Sequence, residues 1–194
     1  MMFEFLFSCF WYLLPAALAN HNASCGEHLP LPGPLKRFLA KTAVPVDLGR
    51  TWNGGHIFGK NKTWRGILVG MLTGIIVAGL QALLYFNFRF FAATTLVDYT
   101  NVNFILFGFL MGTGALSGDL IESFIKRRLG KPSGRPWFPW DQADWILGAV
   151  AMSSFMYIPS SKVFLATLIM YVLVHLCSDR VVCWLGIKSE EEIN

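Results

Sequence analysis

Gly66-Ile67-Leu68-Val69-Gly70-Met71-Leu72-Thr73-Gly74-Ile75-Ile76-Val77-Ala78-Gly79-Leu80-Gln81-Ala82-Leu83-Leu84-Tyr85-Phe86 runs for twenty-one residues without a charge. About 20 mainly apolar residues carry a helix across a bilayer, where no backbone N–H or C=O can be left unpaired. The stretch therefore predicts one complete span. Four further apolar runs, at 5–19, 102–117, 145–158 and 163–177, extend this to an all-α, multi-pass membrane protein with about five transmembrane helices in a single domain, 1–194. A chain that is 54% hydrophobic and 14% charged, with a mean hydropathy of +0.49, is not an ordinary soluble domain. Several runs are short. Two of them adjoin carboxylates, Asp119 and Asp144, which predicts helices that continue past the lipid-facing stretch to line a wet cavity.

The basic residues divide unevenly between the connections. Lys36, Arg37, Lys41, Arg50, Lys60, Lys62 and Arg65 fall in 20–65, Lys126, Arg127, Arg128, Lys131 and Arg135 in 118–144, and Arg180 and Lys188 after the last run. Only Arg89 and Lys162 lie on the opposite side. Positive charge accumulates on the cytoplasmic side, so the amino terminus is expected outside and the carboxyl terminus and both long loops inside. Ala17-Leu18-Ala19 resembles a signal-peptide cleavage site, but the segment opens with Glu4 and no basic residue, and cleavage would place the seven-basic loop outside. The tripeptides Asn22-Ala23-Ser24 and Asn61-Lys62-Thr63 fit the glycosylation pattern and carry no weight alone. Four cysteines, Cys9, Cys25, Cys177 and Cys183, make no disulfide framework, and Cys177, Cys183 and His175 match no common zinc spacing. His175 reads as a packed histidine, and Asp179-Arg180 as a cap or local ion pair.

The two loops carry the chemistry. Residues 20–35, rich in Pro, Gly and His, read as a connector. From Pro45 to Gly66, glycines alternate with basic and hydroxyl side chains, a pattern that brings backbone amides to phosphate oxygens while Lys and Arg neutralise them. The alternative is simple anchoring on anionic headgroups. Gly55-His56-Ile57-Phe58-Gly59-Lys60-Asn61 is not a Walker loop, since no Ser or Thr follows the lysine and no strand precedes it. In the second loop, a helix continuing through Gly118-Asp119-Leu120-Ile121-Glu122-Ser123-Phe124-Ile125-Lys126-Arg127-Arg128 places Asp119, Glu122, Ser123 and Lys126 on one face. After a turn-rich break, Asp141-Gln142-Ala143-Asp144 opens the next span with carboxylates three residues apart; helix capping alone would account for that pair. Three acids at one membrane depth, Asp119, Asp141 and Asp144, need a compensating cation, and Mg²⁺ takes oxygen ligands together with substrate phosphates. No nucleic-acid partner is expected, and the oligomeric state is not legible.

Pro45-Val46-Asp47, Gly49-Arg50 and Gly59-Lys60-Asn61-Lys62-Thr63-Trp64-Arg65-Gly66 resemble the first cytoplasmic loop of the CDP-archaeol synthases. Gly118-Asp119, Ser123-Phe124, Lys126-Arg127-Arg128-Leu129-Gly130 and Asp141-Gln142-Ala143-Asp144 resemble their second, and the five-span plan is also the family's. The resemblance implies a CTP-dependent cytidylyltransferase that joins an archaeal ether-lipid phosphate, 2,3-bis-O-geranylgeranyl-sn-glycerol 1-phosphate, to CMP with release of pyrophosphate. It implies catalytic roles for Asp119, Asp141, Asp144 and Lys126, with Mg²⁺ on the three aspartates. It assigns CTP and lipid phosphate binding to Asp47, Arg50, Lys60, Lys62, Thr63, Arg65, Ser123 and Arg127. Arg128, Lys131 and Arg135 are expected mainly to hold the loop on headgroups. The related phosphatidate cytidylyltransferases differ in carrying Lys-Asp where Lys131-Pro132 stands, and Gly-His-Gly-Gly before Asp-Arg-x-Asp where Phe138-Pro139-Trp140 precedes Asp141. CDP-diacylglycerol synthesis from phosphatidic acid stays open as a variant of the chemistry. A small transporter with the acids lining a path, or a non-catalytic assembly factor, stays open as a different class.

Overall fold

The computed structural model describes residues 1–25, 32–52, 55–132, 135 and 137–184, with backbone alone over 175–184. The elements run α1 (Met2–Cys25), α2 (Gly33–Lys41), β1 (Thr51–Trp52), β2 (Gly55–His56), α3 (Trp64–Asn87), α4 (Arg89–Thr94), α5 (Phe104–Arg128), α6 (Trp140–Ser153) and α7 (Ser161–Trp184). The two strands form an antiparallel pair with Thr51 opposite His56 and Trp52 opposite Gly55. His175, Cys177, Asp179, Arg180, Cys183 and Lys188 lie outside the residues whose side chains are described.

Among the described residues α1, α3 and α5 are long and apolar enough to cross a membrane, and Ser161–Val174 within α7 is a shorter apolar helix. Against the expected run 145–158, α6 stops at Ser153, where Ser154 N–H bonds back to Val150 O and the chain leaves the helix. Its 14 residues rise about 21 Å, short of a hydrocarbon core of about 30 Å. The ends of the connector expected over 20–35 are helical: α1 runs on to Cys25, and α2 begins at Gly33 with Pro34 in its first turn, where a missing N–H costs nothing. α3 and α5 start on side-chain caps. Thr63 Oγ1 accepts from Gly66 N at 3.2 Å, and Asn103 Oδ1 accepts from Ile105 N at 2.9 Å and Leu106 N at 3.1 Å.

The bundle core joins Tyr12, Leu13 and Ala16 of α1, Ala78 and Ala82 of α3, Phe107, Met111 and Ala115 of α5, and Trp145, Ile146 and Ala149 of α6. Lipid tails are as apolar as leucine, so helix association in a bilayer depends on close packing and interhelical hydrogen bonds. Both are present. Gln81 Nε2 donates to Trp11 O at 2.5 Å and its Oε1 accepts from Tyr99 OH at 2.8 Å, while Tyr12 OH and Ser153 Oγ share a hydrogen bond of 3.0 Å. Gly74 of α3 lies against Gly108 and Gly112 of α5, and Gly114 and Gly118 of α5 lie against Gly148 and Asp144 of α6.

A Cβ at Gly118 would meet the Asp144 backbone carbonyl, which cannot swing aside as a side chain would. Gly118→Val should therefore separate α5 from α6 and destabilise the protein by about 1–3 kcal/mol, read as a lowered unfolding midpoint in detergent.

Candidate active site

The second loop begins on a helix that ends in a defined way. Gly130, in the left-handed region at φ 72°, closes α5 with Lys131 N–H bonded to Lys126 O at 3.0 Å and Gly130 N–H to Arg127 O at 3.2 Å. α5 therefore stays helical through Arg128, and Asp119, Glu122 and Lys126 share the face that meets α6. Lys126 Nζ donates to Asp141 Oδ1 at 2.7 Å and lies 3.2 Å from Glu122 Oε1; Glu122 and Lys126 are each 7% exposed. The second oxygen of Asp141 accepts from Trp137 N at 2.6 Å, so this residue ties the start of α6 to the end of the loop. Asp144 lies one turn deeper on α6, accepting from the following amide of Trp145 at 2.6 Å. Ser123 is buried on the same helix.

Lys62 and Asp119 meet directly, with the ammonium 2.6 Å from both carboxylate oxygens. Together with Thr63, they line a cavity of about 30 Å³, about one water across, between the end of α1 and the start of α3. Thr63 is occupied as the α3 cap, and Arg65 N–H bonds to Thr42 O at 2.8 Å in the same junction. Arg50 and Lys60 are exposed.

Asp47 stands apart from the basic side chains with which the sequence grouped it. It is 5% exposed, and its oxygens accept from Gly49 N at 3.0 Å and Phe58 N at 3.2 Å, with His56 Nδ1 3.8 Å away. Burial raises its pKa, but the amides of Gly49, Phe58 and Gly59 outweigh that effect and hold it below the ordinary 3.8. Asp47 organises the loop from within.

Two larger cavities flank the end of α5. A basic cleft of about 440 Å³ is lined by Gly55, His56, Gly59, Lys60, Arg127 and Lys131. An apolar groove of about 520 Å³ between α5 and α6 is lined by Ile121, Ile125, Trp137, Trp140 and Leu147, with Glu122 and Asp144 in its wall. Ile125 and Arg127, about 200° apart around the helix, face the groove and the cleft respectively.

The sequence placed three carboxylates at one depth, and the structure shows how they are held. Asp119 is paired with Lys62 and Asp141 with Lys126. Among the described residues no three His, Cys, Asp or Glu side chains gather closely enough to cage a metal ion. The expected three-aspartate cage is therefore not preformed. The hard oxygen donors still suit Mg²⁺, which is commonly bound through one or two carboxylates plus substrate phosphates. Two participants were under-read from sequence. Glu122 was seen on the shared face but not carried into the site, although its i, i+4 spacing from Lys126 is a legible signal. Arg128 was expected at lipid headgroups; instead its guanidinium donates to Trp52 O at 2.9 Å and His56 O at 2.8 Å. Lys131, expected there as well, places its ammonium 5.4 Å from the Trp137 ring.

Residues 2–191 match the CarS-like family model described as CDP-archaeol synthase. The chain is 31% identical over 190 residues to the CDP-archaeol synthase of Methanocaldococcus jannaschii, covering 97% of this chain and 98% of that one. It is 33% identical over 172 residues to that of Pyrococcus furiosus, covering 88% of each. A solved structure of an intramembrane enzyme for archaeal membrane lipids biosynthesis superposes with a TM-score of 0.66 at 29% identity, over 88% of this chain and 91% of the other.

If Asp47 is the internal brace of the first loop, Asp47→Asn should speed tryptic cleavage at Arg50 and Lys60 at neutral pH. Its folded pKa is lowered, so the bracing is complete above the ordinary carboxylate value and is lost as pH falls through the lowered one. The stabilities of wild type and variant should then converge only below about pH 4, followed by acid unfolding in detergent.

Proposed function

The chain belongs to the CDP-archaeol synthase family, and from that premise we propose that it transfers CMP from CTP to the phosphate of 2,3-bis-O-geranylgeranyl-sn-glycerol 1-phosphate, giving CDP-archaeol and pyrophosphate. The observation that carries this reading is the shared wall between two unlike cavities. A cleft with Lys60, Arg127 and Lys131 suits a polyphosphate arriving from water, and an apolar groove beside it suits an isoprenoid chain arriving from the bilayer. Glu122, in the wall of that groove, pairs with Lys126, which also donates to Asp141.

The chemistry is an in-line displacement. A phosphate oxygen of the lipid forms a bond to the α-phosphorus of CTP, the bond from that phosphorus to the bridging oxygen breaks, and the electron pair leaves with pyrophosphate. The lipid phosphate is already dianionic near neutral pH, so no general base is required. The protein supplies position and charge. Lys62, Lys126 and Arg127 offset the repulsion between two anions, and Lys62 and Lys126 exchange carboxylate partners for phosphate oxygens as substrate enters. Asp119, Asp141 and Asp144 would hold Mg²⁺ together with the nucleotide phosphates, and the bound ion would supply Lewis-acid stabilisation of the departing pyrophosphate. Asp47 and Thr63 act on loop shape.

The same reading gives the chain five spans, with α6 as a short fourth and α7 as the fifth. The amino terminus is then outside, and the carboxyl terminus and both loops are cytoplasmic. The charge distribution supports this orientation.

Pyrophosphate release from CTP and Mg²⁺ by purified protein in detergent should depend on the geranylgeranyl ether phosphate and exceed that with phosphatidic acid; the reverse preference would change the lipid while keeping the chemistry. Asp141→Asn should lower kcat by about 10²–10³ in protein that still elutes as a folded species. Ordinary Mg²⁺-dependent turnover by that variant would remove Asp141 from the reaction.

A further inference from the structure

Arg127 and Arg128 are neighbours in sequence and are carried in opposite directions by the helix. Arg127 lines the basic cleft. Arg128 is absent from that lining and instead spans the β1–β2 pair from behind, one nitrogen on Trp52 O and the other on His56 O. Its guanidinium carbon is 5.5 Å from the Trp52 ring and 5.2 Å from the Phe124 ring. Trp52 and Phe58 also reach Phe124, with ring centroids 6.1 and 6.3 Å apart.

Two-residue strands have little stability of their own. The planar fork of an arginine, with donors at fixed separation, is suited to two carbonyls from two strands, and a lysine ammonium is not. The fork is fixed to the last turn of α5, one residue from Arg127 and two from Lys126. The hairpin leads directly into Gly59 and Lys60, which form the opposite wall of the cleft with Gly55 and His56.

We propose that Arg128 is a positioning residue that clamps the β1–β2 hairpin onto the end of α5 and so sets the width of the cleft between Lys60 and Arg127, into which the CTP phosphates fit. The nucleotide part rests on the cytidylyltransferase reading; the clamp itself does not. Arg128 touches backbone carbonyls rather than substrate. Its loss should loosen one wall of the nucleotide cleft and leave the α5–α6 groove unchanged.

The test compares wild type, Arg128→Gln, Arg128→Lys and Arg127→Gln, each confirmed folded by its unfolding midpoint in detergent. Trypsin should cut after Arg50 and Lys60 at least fivefold faster in R128Q, with R128K between it and wild type, and saturating CTP should restore part of the protection. In R127Q the cutting rate should stay at the wild-type level. In steady state, R128Q should raise KM for CTP about tenfold, with KM for the lipid phosphate unchanged. Equal cutting in R128Q and wild type would overturn the clamp. Faster cutting with an unchanged KM for CTP would overturn its role in positioning the nucleotide. If wild type does not turn over CTP, the cytidylyltransferase reading fails, and the proteolysis still decides whether Arg128 holds the hairpin.

Discussion

Helix α5 meets α6 in close backbone contact at their glycines, and the placement of Lys126 against Asp141 depends on that contact. Gly114 and Gly118 face Gly148 and the Asp144 carbonyl at distances that leave no room for a Cβ. Such proximity brings the 119–126 face of one helix against the 141–144 turn of the other. A wider separation would leave Lys126 unable to span to Asp141. The same device recurs between α3 and α5 at Gly74, Gly108 and Gly112, so α5 is fixed on two sides and its polar end projects from a rigid stem.

Charge is the second constraint. Buried ion pairs seldom add stability over apolar packing, because both partners are removed from water, whereas a lone buried charge is severely unfavourable. Glu122, Lys126 and Asp141 therefore form one compensated group, and Lys62 and Asp119 another. Lys62 lines the one-water cavity beside Asp119, and Lys126 is buried between Glu122 and Asp141. Asp144, accepting from the Trp145 amide, lies in the wall of the apolar groove.

The site is also two-sided, with α5 as its partition. One helical face carries Ile121 and Ile125 toward the apolar groove, and another carries Arg127 toward the basic cleft. A reaction between a membrane lipid and a soluble nucleotide requires such a partition, since neither substrate is soluble in the other's phase. The loop that completes the cleft is braced from within by the Asp47 carboxylate and from behind by the Arg128 guanidinium. The resemblance counts Asp47 among the substrate-binding residues and leaves Arg128 to the headgroups, whereas each here bonds backbone groups of the loop.

The sequence by itself determined the class of molecule. The uncharged run through α3 requires a membrane helix because bilayer hydrocarbon offers no hydrogen bonds to the backbone, and the i, i+3 and i+7 spacing of Asp119, Glu122 and Lys126 requires a shared face wherever the chain is helical. The two loop motifs were specific enough to indicate the family from residues alone. Tertiary structure decided how those residues are used. Local spacing cannot tell which lysine will meet which carboxylate, since Lys62 and Asp119 are 57 residues apart and are joined by helix packing. Nor can it separate Arg127 from Arg128, or show that Asp47 and Thr63 serve the loop and the α3 cap, because those roles depend on backbone groups that only the folded chain brings within hydrogen-bond reach.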